Sequence, residues 1–82
     1  MKIKLVTWDG DLTQFLVYAD DNASAIKKAI NANLMLEYDK ECADLNNMET
    51  YTVEDVDLYL LNEIIHRNDC LGVYGDAIVF ND

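Results

Sequence analysis

Each end of the chain carries two short segments with the pattern of β-strands. In each pair, a turn that contains glycine separates the two segments. At the N-terminus, residues 2–8 alternate between apolar and polar side chains, Asp9-Gly10-Asp11 is a turn signal, and residues 14–19 form a second β-rich run. Two such runs joined by a short polar turn are typical of a β-hairpin. The first constraint on the fold is therefore an antiparallel hairpin over residues 2–19.

The C-terminal runs predict a second hairpin. Residues 71–74 and 77–80 are apolar, and Gly75-Asp76 lies between them. This pair fits a two-residue hairpin turn in which glycine comes first.

Two segments between the hairpins have helical periodicity. Residues 23–36 are rich in alanine and follow Asp20-Asp21-Asn22, whose side chains can cap a helix. Thr52-Val53-Glu54-Asp55 resembles a capping box and predicts the start of a second main helix. The apolar stripe of that helix consists of Val53, Val56, Leu60 and Ile64. A short helical turn is expected around residues 39–46.

The order β-β-α-(α)-α-β-β predicts one α+β domain over residues 1–82, with both main helices on one face of an antiparallel sheet. An apolar fraction of 51% in 82 residues supports a single folded core. No apolar run is long enough to span a membrane, and the N-terminus reaches an acid too early for a secretory signal. We therefore expect a cytoplasmic protein with Cys42 and Cys70 reduced, although one disulfide between them is an alternative.

The charge is large and unevenly distributed. The chain has 16 acidic and 6 basic residues, a net charge of −10, and residues 37–63 carry nine acids and one lysine, a net charge of −8. A strongly acidic chain repels nucleic-acid phosphates and anionic membrane surfaces. We therefore expect neither direct nucleic-acid binding nor membrane binding.

Few residues point to catalysis or metal binding. His66, Cys42 and Cys70 would offer three ligands to zinc, but no Cys-x-x-Cys pair is present and a fourth ligand is missing. Carboxylate pairs are abundant, but nothing marks one of them for acid–base work, and no glycine-rich phosphate loop occurs. The sequence predicts no cofactor, no metal and no enzymatic activity.

The acidic segment is the candidate partner-binding site. We expect six or more of its carboxylates to share one face and to meet Lys and Arg side chains in place of nucleic-acid phosphates. Its tyrosines and Met48 supply contact groups suited to a protein interface. The residues assigned to the site are Glu37, Tyr38, Asp39, Glu41, Asp44, Glu49, Tyr51, Glu54 and Asp55.

The opening of the chain carries a resemblance. A strand, a turn and a strand precede Ala19-Asp20-Asp21-Asn22-Ala23-Ser24-Ala25-Ile26-Lys27-Lys28-Ala29, and with the small size and the acidity this resembles small phage-encoded proteins. Among these are anti-CRISPR, anti-restriction and uracil-glycosylase-inhibitor proteins, several of which act as DNA mimics. The resemblance implies a stoichiometric inhibitor in the host cytoplasm, which blocks a CRISPR effector, a restriction enzyme or another basic nucleic-acid-binding protein.

A second hypothesis stays open. The predicted second helix is apolar around most of its circumference, so it could form the interface of a homodimer, as could an exposed edge strand. The chain would then be a structural or protein-interaction module whose acidic face serves only solubility. The two hypotheses are compatible, because a dimer could still present the acidic face.

Overall fold

The computed structural model describes residues 2–10, 12–36, 46–67 and 69–81. Along the chain, one hairpin precedes the helices and the other follows them, as expected, and one additional strand comes between the two helices. The elements are β1 (Lys2–Trp8), β2 (Gln14–Ala19), α1 (Asn22–Leu36), a 3₁₀ turn (Met48–Thr50), β3 (Tyr51–Asp55), α2 (Leu58–Arg67), β4 (Asp69–Tyr74) and β5 (Ala77–Asn81). The helical turn expected around residues 39–46 lies almost entirely outside the described residues.

The five strands form one antiparallel sheet in the order β3-β1-β2-β5-β4. β5 pairs with β2, and this pairing joins the N-terminal and C-terminal hairpins into a single sheet. In the turn between β4 and β5, Gly75 has a φ of +57°, a left-handed conformation that favours glycine and suits a two-residue hairpin turn. The α+β class and both hairpins are therefore confirmed, but the sheet has five strands instead of four.

The prediction of a helix from Thr52 is wrong, because Tyr51–Asp55 is a strand. β3 pairs with β1 over its whole length. Tyr51 is buried and Val53 half-buried on one face of the sheet, while Thr52 and Glu54 are exposed on the other. This alternation and the β-branched side chains suit an extended strand. Pairing with β1 therefore overrides the helical spacing of the apolar residues.

The second main helix begins later than expected, at Leu58. Asp57 caps it, because Asp57 Oδ1 accepts a hydrogen bond from the Leu60 N–H at 2.8 Å. Aspartate is among the residues preferred at this position, since its side-chain oxygen satisfies a backbone donor of the first turn. The cap of α2 is thus Asp57, and no capping box operates at Thr52.

The two main helices cover opposite faces of the sheet, which corrects the expectation that both pack on one face. On one face the buried alanines of α1 form a cluster with Val6 and Val79. On the other face Ile64 of α2 forms a smaller cluster with Leu5 and Phe80. Consecutive strand residues point to opposite faces, so the burial of both Leu5 and Val6 requires a cover on each side.

Candidate functional site

Of the five acidic residues described between positions 46 and 63, two lie in β3, which is an edge strand of the sheet, and two flank that strand. Glu49 is in the 3₁₀ turn before the strand, Glu54 and Asp55 are at its end, and Asp57 precedes α2. All four residues are exposed. They are called the acidic edge below. Asp57 is the member that the predicted site did not include.

The backbone of β3 adds peptide groups to the acidic edge. Two hydrogen bonds fix the register of the ladder: Val56 N–H to Ile3 O at 3.0 Å, and Asp9 N–H to Thr50 O at 2.9 Å. In an antiparallel pair the hydrogen-bonded positions alternate, so the peptide groups of Val53 and Asp55 point away from β1. In the part of the chain that the structure describes, no strand covers this side of β3.

A lysine of the neighbouring strand holds Asp55. Lys4 lies opposite Asp55 on β1, and Lys4 Nζ is 2.6 Å from Asp55 Oδ1 and 3.1 Å from Asn22 Oδ1. The lysine side chain is buried, whereas the carboxylate is largely exposed. The hydrogen bond from Lys4, followed by the lysine charge, lowers the pKa of the Asp55 carboxyl below its ordinary value of 3.8. Asp55 is therefore ionised at neutral pH, but part of its charge is compensated within the chain.

Asp21 lies at the start of α1 and serves as a helix cap. Its Oδ1 accepts a hydrogen bond from the Ser24 N–H at 2.7 Å. This bond is the main cause that lowers the pKa of Asp21 below 3.8, with smaller contributions from the Ser24 side chain and from the charges of Lys27 and Lys4. The carboxylate of Asp21 is thus engaged in local structure.

Three of the nine residues predicted to bind a partner are found exposed on the acidic edge: Glu49, Glu54 and Asp55. Five others lie outside the described residues: Glu37, Tyr38, Asp39, Glu41 and Asp44. These three residues are the C-terminal part of the predicted site, and Glu54 and Asp55, as neighbours in one strand, point to opposite faces of the sheet.

Tyr51, the ninth residue, belongs to the core. Its ring centroid is 6.4 Å from that of Trp8, and its hydroxyl accepts a hydrogen bond from Asn33 Nδ2 at 3.0 Å. Both Tyr51 and Asn33 are buried. Tyr51 is not accessible to a partner, which corrects its assignment to the binding site. Met48, in the preceding 3₁₀ turn, is exposed.

Sequence reasoning also missed an apolar groove of about 380 Å³ between α2 and the sheet. Tyr18 and Ile78 line it from the sheet, and Leu61 and Ile65 line it from α2. Among the described residues that line the groove, Asp76 is the one that carries a charge. The available sequence signal was the run of four apolar residues at 77–80, which places apolar side chains on both faces of β5.

The residues considered for metal binding do not form a site in the described part of the chain. His66 is exposed, Cys70 is an exposed free thiol, and Cys42 lies outside the described residues. Within residues 2–10, 12–36, 46–67 and 69–81, no group of three or more His, Cys, Asp or Glu side chains is placed to hold a metal ion. None of the described helices has the length and apolar character needed to cross a membrane.

Comparison of the chain with protein-family models, with curated proteins and with solved structures finds no match.

Proposed function

We propose that the chain is a non-enzymatic acidic binding protein that occupies the basic nucleic-acid-binding groove of a DNA- or RNA-handling protein. In a host cytoplasm the partner would be a defence nuclease, such as a CRISPR effector or a restriction enzyme, and the chain would be its stoichiometric inhibitor. The observation that best supports this proposal is the group of four exposed carboxylates in and beside the edge strand β3, of which Glu54 and Asp55 point to opposite faces of the sheet.

Two of the four carboxylates of the acidic edge, those of Glu54 and Asp55, lie within β3, and the other two flank the strand. β3 has five residues, and a rise of about 3.4 Å per residue gives a length of about 17 Å. One strand of duplex DNA places about five phosphate charges over the same axial length. β3 is therefore less densely charged than a nucleic-acid strand, and the acidic edge offers a few anionic acceptors to Lys and Arg side chains, without one acceptor for each phosphate.

The sheet holds these acceptors in place. Because β3 pairs with β1 along its whole length, the backbone that carries Glu54 and Asp55 loses little further freedom on binding. The net charge of −10 would attract a basic partner over a distance and raise the association rate. Both effects support binding that weakens as salt concentration rises.

The experiment compares two variants with the same change in net charge. Glu54→Lys reverses a charge on the acidic edge, and Asp76→Lys reverses a charge in the β4–β5 turn at the other edge of the sheet. Both residues are exposed, so neither substitution should disturb the core. The wild-type chain is immobilised, a bacterial lysate is passed over it, and bound proteins are eluted with a sodium chloride gradient.

We expect to capture a protein that binds duplex DNA by itself and loses that binding when an equimolar amount of the chain is added. Its affinity for the chain should fall about tenfold or more between low salt and roughly 0.5 M salt. Glu54→Lys should weaken the complex about tenfold, and Asp76→Lys should have little effect. A complex that is insensitive to salt, or equal effects of the two variants, would contradict the proposal.

A further inference from the structure

The sheet face beneath α2 is only partly covered. Four apolar residues are neighbours across β1, β2, β5 and β4 on this face: Leu5, Leu16, Ile78 and Val73. Leu5 is buried and Leu16 half-buried, whereas Ile78 is 38% exposed and Val73 is 73% exposed. α2 therefore covers the β1 side of the sheet and leaves an apolar strip exposed toward β4.

One side of α2 continues this strip. Leu58, Leu61 and Ile65 are three and four residues apart, so they lie within about 60° of one another around the helix. Leu61 and Ile65 line the groove, so this side of α2 faces the uncovered strip. Leu58, at the N-terminal end of the same side, is 84% exposed. Six residues form what we call the apolar face: Tyr18, Leu58, Leu61, Ile65, Val73 and Ile78.

The apolar face has the area that a protein interface needs. Its six side chains expose roughly 400 Å² in total, if a large aromatic side chain has about 200 Å² and an aliphatic one about 100 Å². A specific interface buries roughly 600–1,000 Å² on each partner, and in homodimers about 65% of this is apolar, or roughly 390–650 Å². The apolar face therefore reaches the lower end of the apolar share of one side of a homodimer interface.

We propose that the apolar face is the interface of a symmetric homodimer, in which Leu58 of each copy enters the groove of the other copy. A two-fold interface uses the same patch on both subunits, so the patch must be complementary to itself. The apolar face meets this condition because it combines a groove with the exposed side chain of Leu58 beside it. Its local charge is low despite the net charge of −10, because Asp76 is the charged residue among the described groove-lining residues.

The dimer leaves the acidic edges exposed. β3 and β4 are the two edge strands and are separated by four strand spacings, or about 19 Å. Association through the uncovered strip near β4 therefore leaves Glu49, Glu54 and Asp55 outside the contact, whereas Asp57 directly precedes Leu58 and lies at its margin. The dimer would form whether or not the acidic edge binds a basic partner, because the two surfaces do not share residues.

The experiment measures the mass of the full chain in solution by sedimentation velocity, over roughly 1–100 µM and at low and high salt. The test variant is Leu58→Ser with Val73→Ser, which changes the two most exposed aliphatic residues of the apolar face. The matched control is Tyr59→Ser. Tyr59 is 74% exposed on the same helix, but it lies about 140° from the buried Ile64 and points away from the sheet.

We expect a dimer for the wild type and for Tyr59→Ser. The double variant should raise the dimer dissociation constant roughly 100-fold, because each substitution occurs twice in a symmetric interface. Higher salt should strengthen the dimer, because it screens the repulsion between two acidic chains. A wild type that is monomeric throughout the concentration range would overturn the proposal. A double variant that dimerises as tightly as the wild type would also overturn it.

Discussion

Lys4 and Asp55 lie opposite each other on β1 and β3, and the nearly buried ammonium of Lys4 is 2.6 Å from the exposed carboxylate of Asp55. The pair joins the core of the sheet to the acidic edge. Its two members differ in their access to water, because the lysine side chain is 6% exposed and the aspartate side chain is 63% exposed. The loss of one partner therefore has a different consequence for each residue.

We predict that Asp55→Ala destabilises the chain more than Lys4→Met does. Without Asp55, the buried ammonium keeps Asn22 Oδ1 as its hydrogen-bond acceptor in the described part of the chain. A buried charge that loses its counter-charge is costly. Without Lys4, the exposed Asp55 carboxylate is hydrated by water, and the methionine still fills the space of the lysine stem. Urea unfolding of the two variants and of the wild type measures the order. A larger loss for Lys4→Met would contradict this view of the pair.

The stabilising effect of Asp55 should depend on pH in the acid range. Lys4 lowers the pKa of Asp55 in the folded chain below 3.8, so the unfolded chain takes up the proton first as the pH falls. The contribution of Asp55 is therefore complete above the unfolded pKa and is lost as the pH falls through the lower folded pKa. The difference in unfolding free energy between wild type and Asp55→Asn should be constant near neutral pH and should shrink below about pH 4.

The control for this pH effect is the same comparison in a Lys4→Met background. Without the lysine, the Asp55→Asn substitution should change the unfolding free energy little, and that change should be almost independent of pH. If the pH dependence stays the same in that background, its origin is not the Lys4–Asp55 pair.

Tyr51→Phe should destabilise the chain by about 1–2 kcal/mol, because it removes the hydroxyl that accepts the Asn33 Nδ2 hydrogen bond inside the core. Tyr59→Phe is the matched control, since Tyr59 is exposed on α2. Urea unfolding should show a lower midpoint for Tyr51→Phe and an unchanged midpoint for Tyr59→Phe. Equal midpoints would show that the buried hydrogen bond contributes little to stability.

The parts of the fold that could be predicted from the sequence are those whose signals are local. Each hairpin has its turn residues between two adjacent apolar runs, and α1 has a capping residue directly before a long helical stripe. β3 was missed because Val53 fits both a helical stripe and an alternating strand. Only the open edge of β1, which is more than 40 positions away in the sequence, decides between them. Local spacing contains no information about that pairing.

The exposure of the candidate residues could be predicted in part for the same reason. The acidic composition predicts that Glu49, Glu54 and Asp55 are exposed, since charge is read directly from residue types, and their binding to a partner stays a prediction. The same reasoning misassigned Tyr51, because burial of a tyrosine depends on the strand to which it belongs. The sequence did contain a signal that the helices cover opposite faces of the sheet. Leu5 and Val6 are adjacent apolar residues of one strand, so their side chains point to opposite faces and each face needs its own cover.

Gly10→Ala should destabilise the chain by about 1–3 kcal/mol, because an added Cβ would lie 2.4 Å from the ring of Trp8. Trp8 is buried and is the single tryptophan, so its fluorescence should shift when the ring is displaced. The smaller ring in Trp8→Phe should make the alanine at position 10 better tolerated. If Gly10→Ala costs as much in the Trp8→Phe background as in the wild type, contact with the ring is not the cause.

The start of α2 provides the last prediction, which separates helix capping from charge. Asp57→Ala removes the oxygen that accepts the Leu60 N–H and should cost about 1 kcal/mol. Asp57→Asn removes the same charge but keeps an acceptor oxygen, so it should retain most of the stability. Thr52→Ala should leave the helix signal in circular dichroism unchanged, because Thr52 lies in β3 and caps nothing. A loss of helix signal in Thr52→Ala that equals the loss in Asp57→Ala would instead place the helix start at Thr52. Residues 52–55 would then belong to α2 and could not form β3, so the acidic edge would not exist in this form.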